Sequence, residues 1–349
     1  MSLEALGLTP DVVDAFKRLA GEGEARGQCL ELGRVMRVDR GFVQVVSSAG
    51  ERSVHVPKGL LREGDKRRTL ERTPVTGDWV AIDPSKGAVA SVLPRKSQFV
   101  RGAAGKRDEA QVVAANIDVV FVLMGLDGDF NLRRLERYLT LTSESGARAV
   151  VLLTKAGLCE DVPARVAEVR GSAGGAPVHA LDVLAGIDSD APRAYLGAGI
   201  TAALIGSSGV GKSTLANYLM GAEVMRTREV RAHDDRGKHT TSHRELFLTE
   251  WGGVVIDTPG MRELALWGDP ASLDAAFPDV LAIALACRFS DCGHGAEPGC
   301  AVRAAVQAGT LAGDRLASYA ALSAELAERE SRGPRSRRGR PTDPPPRRK

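Results

Sequence analysis

Apolar and polar positions change rhythm several times along the chain. Val12, Val13, Phe16 and Leu19 recur at near-helical spacing, which predicts a short lead helix ended by Gly21-Glu22-Gly23. From Gly33 to Arg101 the pattern shortens to alternating runs, Arg34-Val35-Met36-Arg37-Val38, Phe42-Val43-Gln44-Val45-Val46 and Asp78-Trp79-Val80-Ala81-Ile82, broken by Gly, Pro and Asp. Short strands so spaced predict a small β-barrel.

After Asn116 the runs become longer and more apolar. Asp118 to Met124 reads as a buried parallel strand, followed by a helix with Leu132, Leu135 and Leu139 on one face and a second strand, Ala149 to Leu153. A polar helix near 160 to 170, a strand at Pro177 to Ala180, another helix around 190 and a strand from Thr201 to Ile205 continue the alternation. That order predicts a parallel sheet with helices on both faces. Beyond Pro270, Leu316, Tyr319, Leu322 and Leu326 form the apolar stripe of an Ala-rich helix. The segment after Ser331 has no apolar period and is expected to be disordered in isolation.

Composition adds limits. At 349 residues, with 43% hydrophobic and 26% charged positions, the chain has room for roughly two or three soluble domains. The net charge is only +3, but the tail Arg332 to Lys349 is mostly Arg, Lys, Pro and Gly, which suits an anionic partner such as RNA. No apolar stretch approaches the roughly 18 to 20 residues of a membrane span, and the N-terminus lacks a secretory pattern, so a cytoplasmic protein with no membrane partner is expected. Of five cysteines, three lie between Cys287 and Cys300, where thiolates in a reducing compartment favour metal over disulfides.

The strongest chemical signal is Gly206-Ser207-Ser208-Gly209-Val210-Gly211-Lys212-Ser213, between an apolar strand and the helix starting near Thr214. Its glycines let backbone amides face phosphates at the positive end of that helix; Lys212 suits the outer phosphates and Ser213 a magnesium ion. Downstream, Gly253 to Asp257 is an apolar strand ending in an acid and followed by Thr258-Pro259-Gly260. Asp257 so placed can hold magnesium, and the Gly260 amide can sense the γ-phosphate. Between them, Gly237-Lys238-His239-Thr240-Thr241 lies in a polar stretch suited to a switch segment, with Thr240 or Thr241 on magnesium.

Only about 60 residues separate Ser213 from Pro270, too few for a whole mononucleotide-binding fold. The missing strands must come from the region Asp118 to Ile200, with a base-reading loop at Thr154-Lys155-Ala156-Gly157. Base reader first and phosphate loop second is a circularly permuted order. Finally, Cys287-x4-Cys292-x-His294-x5-Cys300 offers three thiolates and an imidazole, a set suited to one structural, tetrahedral zinc.

These motifs together resemble the ribosome small subunit-dependent GTPase family, of the RsgA/YjeQ-like type. The likeness rests on Thr76-Gly77-Asp78-Trp79-Val80, Leu93-Pro94-Arg95-Lys96-Ser97, the phosphate loop, Gly237 to Ser242, Asp257 to Gly260 and the cysteine cluster with Glu297-Pro298-Gly299-Cys300. The resemblance implies an N-terminal OB-fold barrel, a central α/β circularly permuted P-loop GTPase domain and a C-terminal zinc-binding helical domain. The expected division is 1–32 extension, 33–101 barrel, 102–269 GTPase, 270–330 zinc domain and 331–349 basic tail. It further implies GTP and GDP with magnesium as ligands, the small ribosomal subunit and its rRNA as partners, a monomer, and a role in late subunit maturation.

Two positions depart from familiar patterns. Where the family has Asn-Lys-x-Asp, this chain has Thr154-Lys155-Ala156-Gly157, so guanine preference should weaken unless Asp161 or Asp182 compensates. Met261 stands where Ras-like enzymes place a water-orienting glutamine, which leaves His239 either as the group that replaces it or as a loop histidine without catalytic duty. Two alternatives stay open: a nucleotide hydrolase of relaxed base choice, and an RNA-binding scaffold whose nucleotide is rarely hydrolysed.

Overall fold

The computed structural model describes residues 1–24, 29–60, 71–102, 110–221, 245–257 and 270–332. The lead forms helix α1 (Pro10–Glu24), which runs through Gly21 and Gly23 instead of ending there. Two glycines cost a helix about 1 kcal/mol each. Val12, Phe16 and Leu19 offset that cost by packing on Trp79, Ala81 and Leu93 of the barrel.

The barrel consists of β1 (Glu31–Asp39), β2 (Phe42–Ser47), β3 (Gly50–His55), β4 (Trp79–Asp83) and β5 (Ala88–Val92). Its strands neighbour one another in the order β1-β2-β3-β5-β4, and β4 pairs back onto β1. Closure turns Val35, Val43, Val45, Val54, Val80 and Val89 inward as one apolar interior, which is what period-two alternation delivers when one face is buried. A hairpin of β6 (Gln98–Gly102) and β7 (Ala110–Ala115), unmarked in the hydrophobic pattern, leads out of it.

The central sheet contains β8 (Val119–Gly125), β9 (Arg148–Thr154), β10 (Val178–Ala180), β11 (Thr201–Gly206), β12 (Glu245–Leu248) and β13 (Val254–Asp257), in the order β10-β9-β8-β11-β13-β12. β11 runs parallel to both β8 and β13. The strand before the phosphate loop therefore lies between chain from upstream and chain from downstream, as a permuted domain requires. Among the described residues of this sheet only β12 runs antiparallel, to its neighbour β13, and a single residue pair, Arg37 with Glu245, joins it to barrel strand β1.

Alternate residues of the buried strands serve two cores. Val120, Val122, Val151, Leu153 and Ile205 face helix α2 (Leu132–Ser145), whose Leu135 and Leu139 are buried as the sequence suggests. Phe121, Leu123, Leu152 and Leu204 face helix α4 (Lys212–Met220), through Leu215 and Leu219. Asn131 caps α2 by accepting from the Arg134 amide, and Gly146 ends it in the left-handed region. Helix α3 (Val162–Ser172) is capped by Asp161, which accepts from the Ala164 amide.

Near 190 the chain makes only a 3-10 turn, Ala191–Tyr195. Pro192 opens the turn and Gly197 and Gly199 follow closely, leaving no room for two helical turns. Helices α5 (Pro270–Ala276), α6 (Pro278–Ala284), α7 (Ala301–Gln307) and α8 (Gly313–Arg332) complete the described chain. On α8, Leu322 and Leu326 are buried, with Leu316 and Tyr319 packed against the same core.

Candidate nucleotide site and cysteine cluster

The phosphate loop joins β11 to α4. Gly206 has φ +154 and approaches the Leu123 carbonyl so closely that a Cβ would sit 2.6 Å from its oxygen; Gly209 and Gly211 have φ +74 and +100. Glycine is the residue that meets both demands without strain. Gly211 is the N-cap of α4, so the first-turn amides, those of Ser213 and Thr214 included, open toward the loop at the positive end of the helix. Val210 is buried and pins the loop to the core, while Ser208 and Gly209 are exposed.

Lys212 curls over the loop it belongs to. Its Nζ donates to the carbonyls of Gly206, at 2.9 Å, and Ser207. The ammonium is therefore held within reach of any anion that occupies the loop. Lys212 and Ser213 are both half-buried.

Thr154, Lys155, Ala156 and Gly157 close the neighbouring side. The Thr154 hydroxyl donates to the Val210 carbonyl at 2.7 Å, tying the end of β9 to the phosphate loop. Lys155 adopts φ +60 and its Nζ pairs with Asp127 Oδ2 at 2.6 Å. Burial raises the Asp127 carboxyl, but hydrogen bonds from Lys155 and the Asp129 amide outweigh it and leave the group below its ordinary value. Asp129 accepts from the hydroxyl of Ser207 and from Arg134. Neither aspartate was singled out from the sequence; the signal available was the acid-rich turn Asp127-Gly128-Asp129 right after a buried strand.

Asp257 ends β13, whose Val254, Val255 and Ile256 pair with Thr201, Ala202 and Ala203 of β11. His239, Thr240, Thr241 and Gly260 lie outside the described residues, as does Met261.

Cys287, Cys292, His294 and Cys300 converge. Their ligand atoms all lie within 4.8 Å of one another. Cys287 Sγ and Cys300 Sγ are 3.7 and 3.6 Å from His294 Nδ1. Two ligands on a tetrahedral zinc, with bonds near 2.3 Å to sulfur and 2.0 to 2.1 Å to nitrogen, stand about 3.6 Å apart. The donor set and its spacing thus fit zinc. Cys300 also caps α7 by accepting from the Arg303 amide, so the cluster anchors a helix.

A salt-bridge network joins this region to the central domain. Arg315, only 5% exposed, donates to Glu136 at 2.8 Å and grips both oxygens of Asp279. Among the described residues no helix is long and apolar enough to cross a membrane.

Comparison with known proteins agrees with this architecture. The model of the RsgA GTPase domain matches residues 92–267. The chain is 43% identical over 299 residues to Small ribosomal subunit biogenesis GTPase RsgA 2 of Lactiplantibacillus plantarum, covering 84% of this chain and 83% of that one. It is 42% identical over 340 residues to the Small ribosomal subunit biogenesis GTPase RsgA of Opitutus terrae, covering 94% and 90%. Among solved structures, YjeQ from Thermotoga maritima aligns with TM-score 0.61 at 24% identity, over 85% of this chain and 99% of that one. YloQ, a circularly permuted GTPase, aligns with TM-score 0.60 at 23% identity, over 88% and 97%. With a family match across half the chain and relatives above 40% identity over most of it, this chain belongs to the RsgA GTPase family.

Proposed function

We propose that this chain is a GTP-hydrolysing switch that acts on the small ribosomal subunit during its late maturation, and that hydrolysis accompanies its release. The observation that carries the reading is the phosphate loop on β11, in a sheet assembled from both sides of that loop. The names of the relatives supply the partner: each is a small ribosomal subunit biogenesis GTPase. Gly206 to Thr214 grip the phosphates, with Lys212 neutralising their charge, and Thr154 to Gly157 face the base. Ser213, Thr240 or Thr241, and Asp257 would hold magnesium, which would screen the β- and γ-phosphates as in GTPases generally. Gly260 reports the γ-phosphate and His239 orients the attacking water.

The division into 1–32, 33–101, 102–269, 270–330 and 331–349 follows these roles, with the barrel and the zinc-bound helical region touching rRNA and the basic tail adding salt-dependent affinity. The protein works as a cytoplasmic monomer. Intrinsic turnover is slow, since no arginine finger or water-orienting glutamine is evident in the motifs.

GTP hydrolysis by the wild type and Lys212→Ala, each with and without purified small subunits, tests the reading. Stimulation by subunits in the wild type and its loss in the variant are expected. Equal turnover with and without subunits would point instead to a scaffold.

A further inference from the structure

The base-facing loop carries glycine at 157, so it holds no carboxylate of its own to read a purine. The carboxylate of Asp182 stands beside that glycine. Its Oδ2 accepts from the Gly157 amide at 3.3 Å, and a Cβ built on Gly157 would come within 3.2 Å of the same oxygen. Asp182 thus places an acid where a side chain at 157 would begin, although 25 residues separate the two in sequence. The other acid in view, Asp161, is committed elsewhere, as the cap of α3.

The position is also held firmly. Asp182 Oδ1 accepts from the amides of Leu184 and Ala185, each at 3.1 Å, and its backbone makes a two-way bridge to Ile187. The Ala156 amide donates to the Leu181 carbonyl at 3.2 Å, which ties the loops after β9 and β10 together, and Thr154 fastens the first of them to the phosphate loop. A carboxylate oxygen has about two acceptor sites, and the long bond from Gly157 leaves Oδ2 able to take a stronger donor.

Around the acid the same two loops expose large apolar side chains: Leu158 at 70%, Leu184 at 88% and Ile187 at 42%. Exposed apolar surface grouped about a fixed carboxylate suits a flat heterocycle that covers it while donating to the acid.

The geometry points to Asp182 as the specificity-determining residue of the nucleotide site: its carboxylate receives the ring N–H and the exocyclic amine of guanine, in place of an acid at 157. This rests on the phosphate loop binding a nucleotide, as proposed above. Adenine presents an unprotonated N1 and no 2-amino group to such an acid, so the site excludes it by leaving the carboxylate unpaired.

Equilibrium binding of GDP, ADP and xanthosine diphosphate to the full chain tests the assignment. The wild type should prefer GDP to ADP at least tenfold. Asp182→Asn keeps an Oδ1 acceptor for Leu184 and Ala185, so the turn survives; it should weaken GDP at least tenfold, leave ADP nearly unchanged and strengthen xanthosine diphosphate, whose 2-oxo group accepts from the new amide. Moving the acid across, in Gly157→Asp with Asp182→Ala, should restore the GDP preference. Because the readout is a ratio between nucleotides, loss of folded protein, which lowers all three alike, does not imitate the result. A wild type binding GDP and ADP equally, or an Asp182→Asn protein that keeps its GDP preference, overturns the role of Asp182 while leaving the phosphate loop intact. Failure of the wild type to bind any of the three would overturn the nucleotide-site reading itself, and Asp182 with it.

Discussion

Arg34, on barrel strand β1, donates through Nη2 to the hydroxyl of Thr201, the first residue of the strand that enters the phosphate loop, at 3.2 Å. The guanidinium is fully buried and also donates to the carbonyls of Leu6 and Asn116 while stacking over Trp79. Desolvation pulls its pKa down to about 10, against the attraction of Asp118 and Asp78, so it stays charged at neutral pH. One side chain therefore ties the lead, the barrel and the GTPase sheet.

Arg34→Met should remove that tie and leave buried acceptors at Leu6, Asn116 and Thr201. Unpaired buried acceptors cost about 1 to 3 kcal/mol each, part of which relaxation recovers, so a loss of roughly 3 kcal/mol is expected in denaturant unfolding. An unchanged midpoint would mean that the clasp contributes nothing net.

Arg315 makes the corresponding link at the other end. Replacing it with Met leaves the Glu136 carboxylate, 3% exposed, without its cation, which should cost about 3 to 5 kcal/mol. Glu136→Leu added to Arg315→Met should recover much of this, a coupling that a double-mutant cycle measures.

The same residue predicts a pH effect. Burial tends to raise the Asp279 carboxyl, but the hydrogen bond and charge of Arg315 outweigh it and hold the group below its ordinary 3.8. A depressed carboxyl stabilises the fold above its unfolded pKa and loses that contribution as pH falls through the folded value. Wild-type stability should therefore drop on acidification below about pH 4, and the drop attributable to this pair should be smaller in Arg315→Met. Unfolding curves at stepped pH compare the slopes.

Thr154→Val keeps the shape of the side chain and removes the hydroxyl that donates to Val210. A loss of about 1 to 3 kcal/mol is expected, since the Val210 carbonyl is left unpaired, together with weaker GDP binding as the loop after β9 detaches from the phosphate loop. Calorimetry on the purified variant reads both; GDP affinity equal to wild type would show that the phosphate loop stays in place without this bond.

The cysteine cluster predicts about one zinc per chain by metal analysis. Cys300→Ser removes a ligand and weakens the cap of α7, so metal content and melting temperature should fall together. Retention of a full complement of zinc by that variant would exclude Cys300 as a ligand.

Much of the site was legible along the chain because its parts are local. The glycine-rich loop needs glycines and a lysine at fixed offsets between a strand and a helix, and the cysteine cluster needs three thiols and an imidazole within fourteen positions. Strand β12 escaped notice because four residues, Glu245 to Leu248, carry too little alternation to stand out from a polar stretch. The helix expected around 190 is a single 3-10 turn because a proline and two glycines crowd it, a local conflict that apolar periodicity does not register.

By itself, then, the sequence determined most of the strands and helices of the described residues, the glycine-rich loop between a strand and a helix, and the order in which the two parts of the central domain follow one another. These follow from period, spacing and order, which near neighbours encode. The tertiary structure decided that Asp182 stands beside Gly157, that Arg34 meets Thr201, and that Arg315 meets Glu136, across separations of 25, 167 and 179 residues. Such meetings depend on strand order and on the register in which the layers pack, and no local pattern carries that information.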